Sequence, residues 1–223
     1  LTMPCKNRIV ELLDELSPSA RLIGAVNTVV NENGRLIGHN TDGVGYMRSV
    51  KDAGHDIIGK TMTLMGAGGA ATAICAQAAL DGVSLIHVFA RRTSRFWNRT
   101  QALADTINRT LPCRVLLHEN EDLNALKNAV SESAILVNAT SVGMAPNPEA
   151  SIITDTSLFR PELIVSDVIY NPRKTRLLQE AEKAGCPVFN GMYMLLYQGA
   201  EAFRLFTGQE MPTEAIKKKF FAG

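Results

Sequence analysis

Cysteine is scarce and scattered in this chain. Cys5, Cys75, Cys113 and Cys186 are the only four in 223 residues. They form no C-x-x-C pair and have no histidine at metal-ligand spacing, which argues against a bound metal and for reduced thiols in a cytoplasmic protein. His39, His55, His87 and His118 form no cluster either, and each reads as structural. Neither sign of charge dominates: 23 Lys and Arg face 22 Asp and Glu, a formal net charge of +1. Nothing in that balance points to nucleic acid or another polyanion. Apolar runs are short and broken by charge, so no membrane-spanning helix is expected, and no basic-then-apolar leader opens the chain. Internal repeats and low-complexity linkers are missing too. What remains is an ordinary globular composition, 46% hydrophobic and 20% charged, in a chain long enough for one large or two small domains.

What is present begins with a strand, a glycine turn and a helix in succession. Residues 61–65 form a short apolar, β-branched run bounded by Gly59 and Gly66, and the Ala-rich residues 70–80 have the composition of a helix. Between them lies Gly66-Ala67-Gly68-Gly69-Ala70-Ala71, a G-x-G-x-x-A spacing. Gly66 permits the tight turn, Gly68 lets the backbone approach a pyrophosphate, and Ala71 allows close packing of helix on strand. The amides and macrodipole at the helix N-terminus then favour phosphate. Glycine turns also join strands to helices for packing alone, but a second strand over residues 84–89 favours nucleotide binding. A dinucleotide fold meets the adenosine ribose at the end of that strand, where the chain reads Phe89-Ala90-Arg91-Arg92-Thr93-Ser94-Arg95. This run has no carboxylate for a free 2′-hydroxyl. Arg91, Arg92 and Arg95, with the Thr93 and Ser94 hydroxyls, suit a 2′-phosphate, which favours NADP over NAD.

Ahead of this unit, residues 7–16 show the apolar spacing of an amphipathic helix stopped by Ser17-Pro18, and a short helix follows at 19–22. Residues 25–30 and 35–38 read as two strands joined by a turn over 31–34, and residues 44–53 as a helix that Thr41 or Asp42 could cap. Beyond the glycine unit, helices over 95–109, 119–130 and 175–184 alternate with strands over 113–118, 134–139, 163–169 and 187–189. This alternation predicts right-handed crossovers and a mostly parallel sheet, with ligands beyond the carboxyl ends of the strands. A long helix over 192–206 and a final one over 212–219 close the chain. The expected architecture is α/β: a doubly wound Rossmann-type NADP-binding domain over 42–190, and an α/β substrate domain combining 1–41 with 191–223.

Seven motifs occur in order: Thr2-Met3-Pro4-Cys5-Lys6, Gly24-Ala25-Val26-Asn27-Thr28, Asn40-Thr41-Asp42-Gly43, the glycine turn, Asn138-Ala139-Thr140-Ser141-Val142-Gly143, Tyr170-Asn171-Pro172, and Gly191-Met192-Tyr193-Met194-Leu195-Leu196-Tyr197-Gln198. Together they resemble the shikimate dehydrogenase family, most closely its quinate/shikimate branch, across essentially the whole chain. The resemblance implies reversible NADP(H)-dependent reduction of 3-dehydroshikimate to shikimate, with 3-dehydroquinate and quinate as a second pair. It also implies a small-molecule partner and a monomer or homodimer. Lys6 and Asp42 match the family's catalytic pair, and both also belong to its substrate-binding set with Thr2, Asn27, Tyr170 and Gln198. Gly66, Ala67, Gly68, Gly69 and Ala70 fall in the glycine motif, and Arg91, Arg92, Thr93 and Arg95, read above from the end of the second strand, complete the expected cofactor set. Thr140, Ser141, Gly191, Met194 and Leu195 match the nicotinamide side.

Two departures stand out. The resemblance implies an upstream segment with a Ser-x-Ser carboxylate-binding motif, and this chain opens at Leu1 in what reads as the end of a strand. Where the quinate/shikimate branch carries an acidic residue that supports NAD use, this chain has Thr93. A catalytically inactive NADP-binding fragment or regulatory relative is the alternative reading.

Overall fold

The computed structural model describes residues 1–2 and 5–221. Met3 and Pro4, within the first motif and the expected strand end, lie outside the described residues. The N-terminal stretch forms α1 (Cys5–Arg8), a 3-10 turn, β1 (Glu15–Leu16), α2 (Pro18–Ile23), β2 (Thr28–Glu32) and β3 (Arg35–His39). The three strands make one sheet in the order β1-β3-β2.

The single helix expected over residues 7–16 therefore does not form. Leu13 turns the backbone extended, with φ −107 and ψ 144, and the chain pairs with β3 through Asp14 N to Leu36 O at 2.9 Å and Ser17 N to Gly38 O at 2.8 Å. Leu13 and Leu16 then lie over Gly38, where an added Cβ would meet their methyls at 2.5 and 2.9 Å. Ladder bonds plus this packing outweigh the helical spacing. Local rules hold elsewhere in this stretch. Ser17 accepts from Ala20 N at 3.3 Å and Pro18 follows at the first helical position, so α2 starts there. The β2–β3 hairpin turns through Asn33 and Gly34, both at positive φ, as a two-residue turn of matching twist demands.

The rest of the chain first forms α3 (Asp42–Asp52), β4 (Thr61–Met65), α4 (Gly69–Asp81), β5 (Leu85–Ala90), α5 (Trp97–Thr110), β6 (Arg114–Glu119) and α6 (Leu123–Glu132). β7 (Ile135–Asn138), β8 (Ile164–Asp167), α7 (Arg176–Lys183), β9 (Val188–Phe189), α8 (Met192–Thr207) and α9 (Thr213–Ile216) follow. Strands β4 to β9 form one sheet in the order β6-β5-β4-β7-β8-β9, every neighbouring pair parallel. β7 and β8 are buried along their whole length, as parallel strands are when helices cover both faces. One core cluster joins Met62, Leu64 and Ile86 to Ile74 of α4 and Ile107 of α5. A second joins Met65, Phe89, Leu136 and Val165 to Val130 of α6 and Leu177 of α7. The order reverses between β4 and β7, which opens a crevice at their carboxyl ends.

α6 starts later than the expected residue 119, because Glu119 extends the ladder opposite Ala90 and Asp122 caps the helix by accepting from Ala125 N at 2.9 Å. The last expected helix shortens to α9 and continues as a π turn, Lys217–Phe221. There Lys217 Nζ reaches Asp52 at 2.5 Å and Glu214 at 2.8 Å, beneath the rings of Tyr193 and Tyr197. α3 is wedged between α4 and α8 by two glycines. A Cβ on Gly43 would strike the Ala73 carbonyl, and one on Gly45 would lie 2.6 Å from Gln198 N.

His87 and His118, distant in sequence, meet across β5 and β6. His87 Nδ1 lies 2.9 Å from His118 Nε2, and His87 Nε2 lies 2.7 Å from Glu132 Oε1. Burial, and then the neighbouring His87, push the His118 pKa below its ordinary value. Burial pushes His39 and His55 down as well. An unfolded histidine takes up its proton near pH ~6.5, before these folded ones do. Their contribution to stability is therefore complete above that pH and lost as pH falls toward the folded values. The thermal midpoint is expected to drop as pH is lowered from neutral to about 5, and to drop less steeply in His118→Gln. A scan of midpoint against pH checks this, and equal slopes for the two proteins would contradict it.

Candidate active site

Lys6 and Asp42 come from different elements and are brought together by backbone pairing. Val26 N donates to Lys6 O at 2.8 Å, which seats α1 against the strand leading into β2. Asp42 opens α3, where the helix dipole favours a carboxylate. Lys6 Nζ then donates to Asp42 Oδ2 at 2.6 Å, both side chains being about one-fifth exposed (23% and 18%). Asn27 fixes the other carboxylate oxygen: its Nδ2 donates to Asp42 Oδ1 at 2.9 Å and to Thr41 Oγ1 at 3.0 Å. Its Oδ1 accepts from Thr41 N and Thr28 Oγ1, each at 3.0 Å. In this state Asn27 braces the strand end and orients Asp42 at once. The result is an ammonium group and a fixed carboxylate at one wall of a cleft of about 480 Å³.

All six residues expected to meet substrate, Thr2, Lys6, Asn27, Asp42, Tyr170 and Gln198, line that cleft. Ala70, Gly191, Met194 and Leu195 from the cofactor set line it too. Val168, Thr28 and Phe206 also line it. Thr28 falls within a recognised motif without having been singled out. Val168 and Phe206 are apolar side chains and carry no polar signal of their own.

The other expected cofactor residues stand outside the cleft. Gly66, Ala67, Gly68 and Gly69 make the turn from β4 into α4. Gly66 has φ 117 and approaches Ala139 so closely that a Cβ would lie 2.9 Å from its carbonyl oxygen. Gly68 and Gly69 face open space, and no side chain caps α4. A bare helix N-terminus behind two glycines with room above them fits a pyrophosphate. Thr140 and Ser141 follow β7, with Thr140 Oγ1 donating to Asn138 Oδ1 at 2.7 Å. Arg91, Arg92, Thr93 and Arg95 follow β5 and are exposed. Arg92 rests over the Trp97 ring and Arg95 over Phe96. The run 89–95 has no carboxylate of its own, yet β6 brings Glu119 to 3.9 Å from Arg92. Among the described residues no cluster of His, Cys, Asp or Glu could hold a metal ion, and no helix is long and apolar enough to cross a membrane.

Comparison with known proteins identifies the family. The family model for the shikimate dehydrogenase substrate binding domain matches residues 1–29, and that for the shikimate 5′-dehydrogenase C-terminal domain matches residues 191–219. Shikimate dehydrogenase (NADP(+)) of Listeria monocytogenes serotype 4b (strain F2365) is 52% identical over 99% of this chain and 76% of its own length. The crystal structure of shikimate 5-dehydrogenase from Listeria monocytogenes, in complex with shikimate and NAD, superposes with a TM-score of 0.95 at 52% identity. That match covers 97% of this chain and 75% of the other. Shikimate 5-dehydrogenase from Thermus thermophilus, in complex with NADP(H) and shikimate, gives a TM-score of 0.78 at 37% identity, covering 98% and 76%. With that identity running through both halves of the cleft, this chain belongs to the shikimate dehydrogenase family.

Proposed function

We propose that this chain transfers hydride reversibly between shikimate and 3-dehydroshikimate with NADP(H), with quinate and 3-dehydroquinate as a second pair, and that Lys6 and Asp42 are its catalytic residues. The observation that carries the reading is the 2.6 Å Lys6–Asp42 pair on a cleft that reaches Ala70 at the glycine turn. NADP, when bound, supplies or takes up the hydride. A ketone that receives hydride becomes an alkoxide, which needs a proton and nearby positive charge. The Lys6 ammonium provides both. Asp42 aims the lysine and accepts from a ring hydroxyl, and oxidation runs through the same groups as bases.

The remaining residues take the roles that the family resemblance implies. Thr2, Asn27 and Gln198 offer a hydroxyl and two amides to a polyol, and Tyr170 sits toward the substrate carboxylate and the nicotinamide. Thr140, Ser141, Gly191, Met194 and Leu195 form the nicotinamide side, and residues 66–70 hold the pyrophosphate. Arg91, Arg92, Thr93 and Arg95 hold the 2′-phosphate. Residues 1–41 with 191–223 serve as the substrate domain, and 42–190 as the dinucleotide domain. The two separate sheets support this division. The protein is read as cytoplasmic, and as a monomer or homodimer.

The test is absorbance-monitored reduction of NADP+ and NAD+ with shikimate, quinate and no substrate. Turnover with shikimate and faster reduction of NADP+ than NAD+ are expected. NADP binding without turnover of either substrate would favour the inactive binding module instead.

A further inference from the structure

Asp167 closes β8 with 1% of its surface exposed, at the carboxyl end of a strand buried along its whole length. An apolar residue would serve the core there, whereas a buried carboxylate costs stability unless its oxygens are fully bonded. Both oxygens are bonded, and by neutral partners. Oδ1 accepts from Ile169 N at 3.0 Å and Asn138 Nδ2 at 3.2 Å. Oδ2 accepts from Thr175 Oγ1 at 2.8 Å and Asn138 Nδ2 at 3.1 Å. Burial still pushes the carboxyl above its ordinary pKa, with these bonds pulling it back.

Asn138, its rung partner on β7, extends the network. Asn138 Oδ1 accepts from Thr140 N at 3.0 Å and Thr140 Oγ1 at 2.7 Å, and Nδ2 also donates to Val142 O at 3.1 Å. Thr175, the cap of α7, backs the same loop: a Cβ on Gly143 would touch it at 3.4 Å. One carboxylate thus joins three segments: the loop after β7, the turn after β8 and the start of α7. Two of these carry groups assigned to the reaction: Thr140 and Ser141, given to the nicotinamide side, in one, and Tyr170, which lines the cleft, in the other.

We propose that Asp167 is a positioning residue of the reaction: through Asn138 and Thr175 it holds the loops after β7 and β8 at the separation from Lys6 and Asp42 that hydride transfer needs. The inference rests on the function proposed above. Asp167 touches neither substrate nor cofactor in this role. The adenosine and pyrophosphate contacts lie elsewhere, so a fault at Asp167 should disturb nicotinamide placement more than cofactor affinity.

Asp167→Asn keeps the shape and turns one acceptor into a donor facing donors. Its kcat is expected to fall by more than about tenfold, because small misplacements of reacting groups are costly, while KM for NADP+ changes little. The fluorescence emission of bound NADPH should shift from that of the unaltered protein. Thr175→Val, outside the cleft, should reproduce the loss of kcat, and Thr175→Ser, which keeps the hydroxyl, should retain wild-type kcat. This pair decides the matter if Asp167→Asn does not fold. An active parent with unchanged kcat in Asp167→Asn and Thr175→Val would overturn the proposal and leave the function standing. So would a lowered thermal midpoint with unaltered NADPH emission and no split between kcat and KM. A parent silent with both substrates would sink the proposed function, and this inference with it.

Discussion

Lys6→Ala is expected to lower shikimate turnover by about 10²–10⁴-fold, the range for loss of a positioned proton donor, while NADP+ binding persists. The ammonium lies 2.6 Å from Asp42 at the wall of the cleft, whereas Gly66 to Gly69 and the arginines after β5 stand outside it. Removing it takes the proton and the positive charge from the developing alkoxide. The rest of the site has its own supports: Asp42 keeps its bond from Asn27 at 2.9 Å, and Lys6 contributes its backbone carbonyl to Val26 whatever its side chain. Lys6→Arg separates the two effects, since arginine keeps the charge but does not release a proton near neutral pH. It should recover part of the electrostatic contribution and little of the proton transfer. Steady-state rates beside a fluorescence titration of NADPH check this. Equal loss of turnover and cofactor binding in Lys6→Ala would remove Lys6 from its assigned role.

How much of this could be read in advance depended on whether the deciding interaction was local. β4 ends where expected, at residues 61–65, because an apolar run bounded by glycines is a local signal. Residues 7–16 misled because Glu15 and Leu16 are strand only by pairing with Ile37 and Gly38, and helical spacing contains no information about a ladder 22 residues away. The same limit hides His87 against His118, and Asp167 against Asn138, pairs that exist through sheet register. Lys6 and Asp42, 36 positions apart, were nominated by ordered motifs, and their approach follows only once α1 is seated on Val26. Asn27, expected as a substrate ligand, bonds Asp42 and Thr41 and so braces the site in this state, a contact that its motif alone does not reveal. The arginine run shows the converse: its lack of a carboxylate was plain, but the arrival of Glu119 from β6 was not.

Gly191→Ala should destabilise the protein by about 1–3 kcal/mol, the usual cost of overpacking, and reduce turnover with it. The backbone is not the obstacle: φ −74 and ψ 0 suit any residue. Space is. An alanine Cβ would overlap the carbonyl of Val168, and that segment has nowhere to go. Val168 N is bonded to Asn138 O at 3.0 Å, and Gly191 N itself donates to Ile169 O at 3.0 Å. Relief must come from lifting α8, which carries Met194, Leu195 and Gln198 into the cleft and is held against α3 through Gly45. The cleft would then widen between Tyr170 and Gln198. Gly68→Ala is the control: its backbone is extended, with φ −75 and ψ −174, and nothing lies within 4 Å of the new methyl. It should unfold like the parent in chemical denaturation while binding NADP+ more weakly, because the methyl enters the space above the phosphate turn. If Gly191→Ala unfolds at the same denaturant concentration as Gly68→Ala, the contact with Val168 is not what holds α8 in place.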